Sequence, residues 1–356
     1  MKSSFIKVAA VAATLTIALT GCAANEGNGN ADLTGTINGA GSSAMGSAQE
    51  AWIAEYQTAN GGVNVNYDPT GSGAGREAFF SGAVSFAGSD SSLKDEELLL
   101  TSTNCAPDSK FFEVPVYVSP IAVIFNVEGV TELNLSSTTL AGIFKGTIKK
   151  WNDAAILAEN PGVNLPSATI TAVHRSDDSG TTKNFTDYLS KTASAIWDGE
   201  VSDTFPYQTG EGAKGTSGVV DAVKNGKNTI GYADASKAGD LSTAKLKVGE
   251  TWVAYSAAAA AKIVETSPRV EGRDANDMAV KLDRNSIDGT TYPLVLISYV
   301  IGCTDYADDE VGALVKSYLG YLVTEAAQSN AAANAGAAPL TASVREEAAA
   351  IINNIK

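Results

Sequence analysis

The stretch TINGAGSSAMGSAQEAWIAEY, residues 36–56, contains a pattern of strand, turn and helix that recurs along the chain. A short β-branched run leads into a Gly/Ser turn, and a segment with helical spacing follows, in which Ala48, Trp52 and Tyr56 share one face. The same order returns where VNVNY precedes TGSGAGREAFF (63–80) and where TITAV precedes TKNFTDYLSK (169–191). Strands that alternate with helices predict an α/β protein with mostly parallel or mixed sheets.

Three further segments extend this pattern. FFEVPVYVSPIAVIFNV (111–127) predicts a long strand that continues past Pro120, and YPLVLISYVIG (292–302) predicts another strand. DDEVGALVKSYLGYLV (308–323) predicts an amphipathic helix. Its apolar face consists of Val311, Leu314, Val315, Tyr318 and Leu322. The 356 residues are enough for two domains of ordinary size, and we expect two lobes rather than one.

The composition limits the classes of partner. The chain is 44% hydrophobic and 18% charged, which is typical of a globular protein. Its formal net charge is −15, so it offers no basic field for nucleic acid. An overall negative field also repels small anions at long range. Any anion that binds here must therefore be held by local hydrogen-bond donors.

The N-terminus has the features of an export signal. Lys2 and Lys7 precede an apolar run, residues 8–20, that is too short and too rich in alanine to be a good membrane-spanning helix. The run ends in LTGC (19–22), which resembles the lipobox of bacterial lipoproteins and implies a diacylglyceryl anchor on Cys22. The alternative is an ordinary secretory signal with a chance cysteine. We predict a signal peptide at 1–21 and a lipid-anchored tether at 22–32.

Cys105 and Cys303 are the two remaining cysteines. In an exported protein they meet an oxidising environment, which favours a disulfide between them. The alternative is two separate buried thiols, since spacing alone does not establish that two cysteines can be bridged.

Three Gly/Ser-rich turns share one design. Each follows a predicted strand and precedes a predicted helix: GAGSSAM (39–45), TGSGAG (70–75) and SDDSGTT (176–182). A helix start offers unpaired backbone N–H groups and a partial positive charge, and glycine lets the backbone approach a ligand closely. These turns therefore predict an anion site.

The sequence does not favour an enzyme. His174 is the only histidine, it is next to Arg175, and a lone histidine is more often structural than catalytic. GEGAKGTSG (210–218) contains the ingredients of a phosphate loop at the wrong spacing. No His- or Cys-rich metal set is present in the sequence. We therefore expect hydrogen-bond donation without catalysis, and neither a cofactor nor a metal.

Several motifs in order resemble one family. GAGSS, TGSGAGREAF, VSFAGSDSSL, LAGIFKGTIKKWND and VHRSDDSGTTKNFTDYL look like the phosphate-binding protein of the Pst-type ABC phosphate importer, from about residue 35 to the C-terminus. The resemblance implies a set of phosphate ligands: Ser43, the backbone N–H of Ala44, Ser72, Asp90, Arg175, Ser179, Gly180 and Thr181.

Some of these positions depart from the family pattern. The first turn often reads Ala-Thr-Phe in relatives, so Ser42 competes with Ser43 for the role of donor. The resemblance also implies that Asp177 pairs with Arg175, whereas Asp178 stands where many relatives have glycine. That second aspartate adds a negative charge beside the predicted anion site, and the sequence offers no role for it.

An aspartate in an anion site is understandable if the ligand carries a proton. Asp90 can accept a hydrogen bond from phosphate, but it would face only lone pairs on sulfate, and such mispairing of buried polar groups discriminates strongly. Arg175 would supply a bidentate contact to phosphate oxygens. The alternatives are a receptor for another oxyanion or an organic phosphate, a secreted phosphatase-like hydrolase, or an adhesion lipoprotein built on a receptor fold.

The resemblance also implies an architecture and partners. We expect a two-lobed type II periplasmic-binding-protein fold with mixed sheets and a ligand cleft between the lobes. Lobe I is predicted at 33–118 plus 294–356 and lobe II at 119–293. The implied protein is a monomeric extracytoplasmic phosphate receptor, anchored to the cell membrane. It would deliver phosphate to the permease pair and ATPase of an ABC importer, without contacting nucleic acid.

Overall fold

The computed structural model describes residues 33–356 as a mixed α/β protein. The predicted signal peptide, the tether and the predicted lipidation site Cys22 lie outside these described residues. Within residues 33–356, no helix combines the length and the apolar character that crossing a membrane requires. The predicted α/β class with mixed sheets is confirmed.

The described strands and helices alternate along much of the chain. The strands are β1 (Gly35–Gly41), β2 (Val63–Asp68), β3 (Phe86–Ser89), β4 (Phe111–Asn126), β5 (Leu133–Leu135), β6 (Thr171–Arg175), β7 (Glu211–Ala213), β8 (Thr229–Asp234), β9 (Ser242–Val248), β10 (Thr251–Val253) and β11 (Val295–Cys303). The helices are α1 (Gly46–Ala59), α2 (Ser72–Phe80), α3 (Ser137–Lys145), α4 (Ala154–Glu159), α5 (Gly180–Thr192), α6 (Gly215–Asn225), α7 (Ala257–Thr266), α8 (Asp309–Leu322), α9 (Glu325–Ala335) and α10 (Ala342–Asn353).

The long strand β4 connects two halves of the sheet. Strand order runs β2-β1-β3-β11-β4-β8-β6-β7, with β9 also on β4 and both β5 and β10 on β9. The N-terminal part of β4 pairs with β11 as far as Pro120, and from Ile121 onward it pairs with β8. We call the part with β1, β2, β3 and β11 the first half, and the part with β6, β7 and β8 the second half.

Each half combines parallel and antiparallel pairs. β1 runs parallel to both β2 and β3, and β6 runs parallel to both β7 and β8. β11 is antiparallel to β3 and β4, and β4 is antiparallel to β8. Because the carboxyl ends of parallel strands meet at one edge of a sheet, the turns after β1 and β2 come close together, and so do those after β6 and β7.

The predicted helix faces are confirmed. Ala48, Trp52 and Tyr56 on α1 are buried, and the Trp52 indole Nε1 donates to the Ala327 carbonyl of α9 at 2.7 Å. On α8, Leu314, Val315, Tyr318 and Leu322 are buried, and Val311 packs against the same core. Burial of these apolar faces, rather than helix propensity alone, accounts for the stability of the helices.

Cys105 and Cys303 form a disulfide in the structure, with their Cα atoms 5.4 Å apart. Cys303 is the last residue of β11, and Cys105 lies in the loop between β3 and β4. The bond joins residues separated by 198 positions, so it restricts the unfolded chain strongly and stabilises the first half.

Candidate functional site

The turn after β1 holds two consecutive serines whose hydroxyls point to different partners. Ser42 Oγ donates a hydrogen bond to Asp90 Oδ1 and accepts one from the Ala44 N–H at 3.1 Å. Ser43 Oγ lies 3.0 Å from Thr216 Oγ1 and accepts from the Thr216 N–H at 3.1 Å. Ser42 therefore stays within the first half, whereas Ser43 reaches the second half, at the start of α6.

The turn after β2 brings backbone from the two halves together. Gly71 has φ +109°, and a Cβ atom on it would lie 2.5 Å from Asp177 Oδ2 of the second half. Ser72 follows as the first residue of α2, and its hydroxyl accepts a hydrogen bond from the Asp90 N–H at 3.1 Å. Glycine is therefore required at position 71 both by its backbone conformation and by this close approach.

Asp90 follows β3 and is only 4% exposed. Its Oδ1 accepts from Ser42 and, at 2.7 Å, from Ser298 of β11, whereas its Oδ2 accepts from Thr181 of α5 at 3.2 Å. Burial raises the pKa of the Asp90 carboxyl, although these hydroxyls and the positive charge of Arg175 oppose the rise. The carboxylate is thus a buried acceptor held by donors from both halves.

The turn after β6 orients an arginine. Arg175 is 3% exposed, and its Nε and Nη2 donate to the two carboxylate oxygens of Asp177 at 2.7 and 2.5 Å. Burial alone would raise the pKa of Asp177, but this bidentate pairing and the Gly215 N–H, 3.1 Å from Oδ1, hold that pKa below its ordinary value. The predicted pairing of Asp177 with Arg175 is confirmed. It fixes the plane of the guanidinium.

Ser179 and Gly180 form the start of α5. Ser179 is the N-cap, and its hydroxyl accepts a hydrogen bond from the Thr182 N–H at 3.2 Å. A Cβ atom on Gly180 would lie 2.7 Å from both Asp90 Cβ and Ser72 Oγ, so only glycine fits between them. The first N–H groups of a helix have no partner inside it, so this end of α5 presents donors beside Asp90.

Asp178 has its side chain in solvent. Its side chain is exposed, and its Oδ1 accepts a hydrogen bond from the Thr204 hydroxyl at 2.7 Å. Its backbone carbonyl accepts from the Gly73 N–H of α2 at 3.1 Å, across the two halves. The added negative charge is therefore located at the edge of the contact between the halves, where water and a hydroxyl stabilise it.

His174 contributes to packing. Its ring stacks on Phe205 with the ring centroids 4.0 Å apart, and its Nδ1 lies 2.8 Å from the Arg175 carbonyl oxygen. Within residues 33–356, neither of these contacts of His174 involves a serine or threonine hydroxyl, which is the partner that a histidine has in a hydrolase triad.

The sequence analysis missed Gly215, Thr216 and Ser298. Gly215 and Thr216 begin α6 and contact Asp177 and Ser43 through their N–H groups. A signal was available, since GEGAKGTSG has the same strand, glycine turn and helix order as the three turns that were recognised. For Ser298 the signal was the only serine within the largely apolar run VLISYVIG, 295–302.

The chemistry of this site is hydrogen bonding. It consists of hydroxyls, helix-start N–H groups, one arginine and one buried carboxylate. Among residues 33–356, no group of three or more His, Cys, Asp or Glu side chains is arranged to hold a metal ion. The structure brings together the first-half residues Ser42, Ser43, Ser72 and Asp90 with the second-half residues Arg175, Ser179, Gly180 and Thr181. That these residues bind an anion stays a prediction.

Comparisons of the sequence with known proteins agree on one family. The sequence model described as "PBP superfamily domain" matches residues 26–326. Phosphate-binding protein PstS 3 of Mycobacterium leprae is 37% identical over 289 residues, covering 80% of this chain and 78% of the relative. Phosphate-binding protein PstS 2 of Mycobacterium tuberculosis is 30% identical over 359 residues, covering 96% of this chain and 95% of the relative.

Solved structures with the same fold include two phosphate complexes. A high-affinity periplasmic phosphate-binding protein, PfluDING, bound with phosphate, matches with a TM-score of 0.74 at 23% identity and covers 89% of this chain and 93% of that one. A putative phosphate ABC transporter substrate-binding protein with bound phosphate, from Clostridium perfringens, matches with a TM-score of 0.62 at 18% identity. This match covers 86% of the present chain and 100% of that protein's chain.

Proposed function

Because this chain belongs to the PBP superfamily and, within it, to the PstS phosphate-binding proteins, we propose that it binds inorganic phosphate and delivers it to an ABC importer. The relatives are named as binding proteins, which agrees with a site built of donors and one acceptor. The proposed ligands are Ser43, the Ala44 N–H, Ser72, Asp90, Arg175, Ser179, Gly180 and Thr181.

The observation that carries this proposal is the set of hydrogen bonds at Asp90. A carboxylate has about four lone-pair positions, and protein hydroxyls use three: two on Oδ1 and one on Oδ2. The remaining position on Oδ2 can accept a hydrogen bond only from a ligand that carries a proton. Phosphate near neutral pH has such a proton and sulfate does not, so the acceptor selects phosphate over sulfate.

Arg175 supplies the positive charge that an anion needs. Asp177 occupies Nε and Nη2, and among the described residues none accepts a hydrogen bond from Nη1. That nitrogen remains available to a phosphate oxygen, as do helix-start N–H groups of α5. Because the chain as a whole is strongly acidic, phosphate is held by these local donors and not by the overall field.

Binding is coupled to closure of two lobes. Lobe I comprises about residues 33–118 plus 294–356 and lobe II about 119–293. The change of partner along β4 between Pro120 and Ile121 supports a boundary close to residue 118. Since ligands come from both lobes, phosphate favours the closed form, which the permease pair and ATPase of the importer would then engage.

The protein acts outside the cytoplasm as a monomer attached to the membrane. The export signal at 1–21 and the lipobox-like LTGC motif support diacylglyceryl modification of Cys22, and residues 22–32 serve as the tether. The Cys105–Cys303 disulfide supports an oxidising compartment. A Cys22→Ser variant should leave the membrane fraction, whereas wild type should remain in it; equal fractionation of the two would contradict the anchor.

Titration calorimetry with phosphate, arsenate and sulfate tests the proposal. Arsenate carries a proton as phosphate does, so both should bind, and sulfate should bind at least about a hundredfold more weakly than phosphate. Equal affinity for phosphate and sulfate would overturn the role of Asp90 and favour a receptor for another oxyanion. Turnover of a chromogenic phosphate ester would favour the hydrolase alternative.

A further inference from the structure

Arg76 is a buried cation outside the proposed ligand set. It lies on α2, one turn after Ser72, and is only 3% exposed. Its Nε donates to Glu97 Oε1 and its Nη1 to Ser89 Oγ, both at 2.9 Å and both within the first half. Its Nη2 donates at 2.8 Å to Asp203 Oδ2, which belongs to the second half. The guanidinium therefore bonds to both halves.

Asp203 is the second-half partner of Arg76, and it also bonds to the turn after β6, which holds the proposed ligand Ser179. Its side chain is 5% exposed, and both carboxylate oxygens bond to the first half: Oδ2 to Arg76 and Oδ1 to the Ser91 hydroxyl at 2.5 Å. Its backbone carbonyl accepts from the Ser179 N–H at 2.9 Å. Ser179 is the N-cap of α5, so Asp203 connects this turn, which holds proposed phosphate ligands, to the first half.

The opposite charges of Arg76 and Asp203 stabilise each other. Burial alone would raise the pKa of the Asp203 carboxyl, but the Arg76 charge and the Ser91 hydroxyl hold that pKa below its ordinary value. If the halves separate, Arg76 keeps Glu97 and Ser89, whereas Asp203 loses both of its side-chain partners. The contact therefore favours the arrangement in which the two halves touch.

We propose that Arg76, Asp203 and Ser91 form a latch between the lobes that slows the release of phosphate without touching it. This inference rests on the proposed function, because it assumes that phosphate is the ligand and that the lobes open to release it. Asp203 and Arg76 are positioning residues: they stabilise the closed form and fix the Ser179 amide. Since the latch forms only after closure, it affects dissociation and leaves the encounter with phosphate unchanged.

The test compares Asp203→Asn with Glu97→Gln in the full mature chain. Both changes remove one acidic partner of Arg76 and keep the size of the side chain, but only Asp203 lies across the cleft. Stopped-flow measurements with inorganic phosphate should show release about tenfold faster for D203N, with the association rate within about twofold of wild type. Glu97→Gln should keep both rates within about twofold of wild type.

Ser91→Ala is the second variant, and it serves if D203N does not fold. It removes only the hydroxyl that donates to Asp203 Oδ1, and it should speed up release about threefold. The number of phosphate sites per chain should stay at one, which separates a latch from a general loss of folded protein. A wild-type chain that does not bind phosphate would overturn the proposed function. Wild-type binding together with unchanged release in the variants would overturn only the latch.

Discussion

Ser298 Oγ, in the middle of β11, donates a 2.7 Å hydrogen bond to Asp90 Oδ1. The two residues are 208 positions apart in the chain, and both are buried. Ser298 and Ser42 thus occupy one carboxylate oxygen of Asp90 and leave the other to Thr181 and a ligand. The use of Asp90 as a selective acceptor depends on this arrangement.

Replacing Asp90 with asparagine should abolish discrimination between phosphate and sulfate. The amide can place an N–H donor where the carboxylate placed an acceptor, so sulfate is no longer opposed by a lone pair. We expect phosphate affinity to fall about tenfold to a hundredfold, and the ratio of the affinities for phosphate and sulfate to approach one. Calorimetric titrations with both anions measure this, and an unchanged ratio would contradict the assignment.

Ser298→Ala should weaken phosphate binding and retain selectivity. Without the Ser298 hydroxyl, Oδ1 of Asp90 loses one donor, and the pKa of the carboxyl should rise further above its ordinary value. We expect an affinity loss of about threefold to tenfold that is smaller at higher pH, where Asp90 is ionised. A titration series from pH 6 to 8.5 tests this, and selectivity as poor as that of Asp90→Asn would refute the supporting role.

Arg175→Ala should weaken the binding of all anions together. It removes the one guanidinium that the Asp177 carboxylate orients toward the ligand, and we expect at least about a hundredfold loss for phosphate and arsenate alike. His174→Phe is the control in the adjacent position, because it keeps the stacking on Phe205 and should leave affinity unchanged. Equal affinities in Arg175→Ala and His174→Phe would reject the predicted site.

Removal of the disulfide should reduce stability and spare binding. The Cys105→Ala/Cys303→Ala double variant restores the freedom of the unfolded chain, and we expect a loss of about 2–4 kcal/mol in the free energy of unfolding. Phosphate affinity should stay within about twofold of wild type, since Asp90, the one proposed ligand in the same loop as Cys105, is held independently by Ser42, Ser298 and Thr181. Urea unfolding under oxidising conditions measures the change, and stability equal to wild type would contradict it.

Asp234→Asn should raise stability at neutral pH. Asp234 ends β8 and is fully buried, and burial raises its pKa to about 6, despite hydrogen bonds that include Tyr117 O–H at 3.0 Å and the Ser236 N–H at 2.9 Å. The native state therefore holds the proton more tightly than the unfolded chain. The protonated Asp234 carboxyl therefore adds its full contribution to the free energy of unfolding at about pH 4, and that contribution is lost as the pH rises through about 6.

The Asp234→Asn variant should not lose this stability at neutral pH, because the amide is uncharged at every pH. Its oxygen can still accept the hydrogen bonds from Tyr117 and Ser236. We expect a gain of about 1–3 kcal/mol at pH 7 that disappears near pH 4. Urea unfolding of both proteins across this range measures the difference. A constant difference between the two proteins over the range would show that Asp234 does not titrate there.

Much of the fold was predictable from the sequence because the patterns are local. The apolar faces of α1 and α8 follow from spacing within one helix, and β4 was predicted to continue past Pro120 from one long, largely apolar run. The ion pair of Arg175 with Asp177 was also predictable through the family resemblance, since the two residues are neighbours in one turn.

The rest of the site could not be read from the sequence because its hydrogen bonds join distant segments. Ser42 and Ser43 are equivalent in local pattern, yet one donates to Asp90 and the other meets Thr216, 173 positions away. Asp178 differs from Asp177 only in the direction of its side chain, and that direction places its charge in solvent.

Local sequence patterns are sufficient to predict the helix-start turns, many of the strands and helices, and the residue types suited to holding an anion. Local backbone preference and apolar periodicity act over a few residues, so both can be recognised in the sequence alone. The folded arrangement is needed to show which hydroxyls surround Asp90 and that Arg76 meets Asp203 between the two halves. Those contacts form where β4 and β11 bring remote parts of the chain together, and burial then requires each polar group to find a partner.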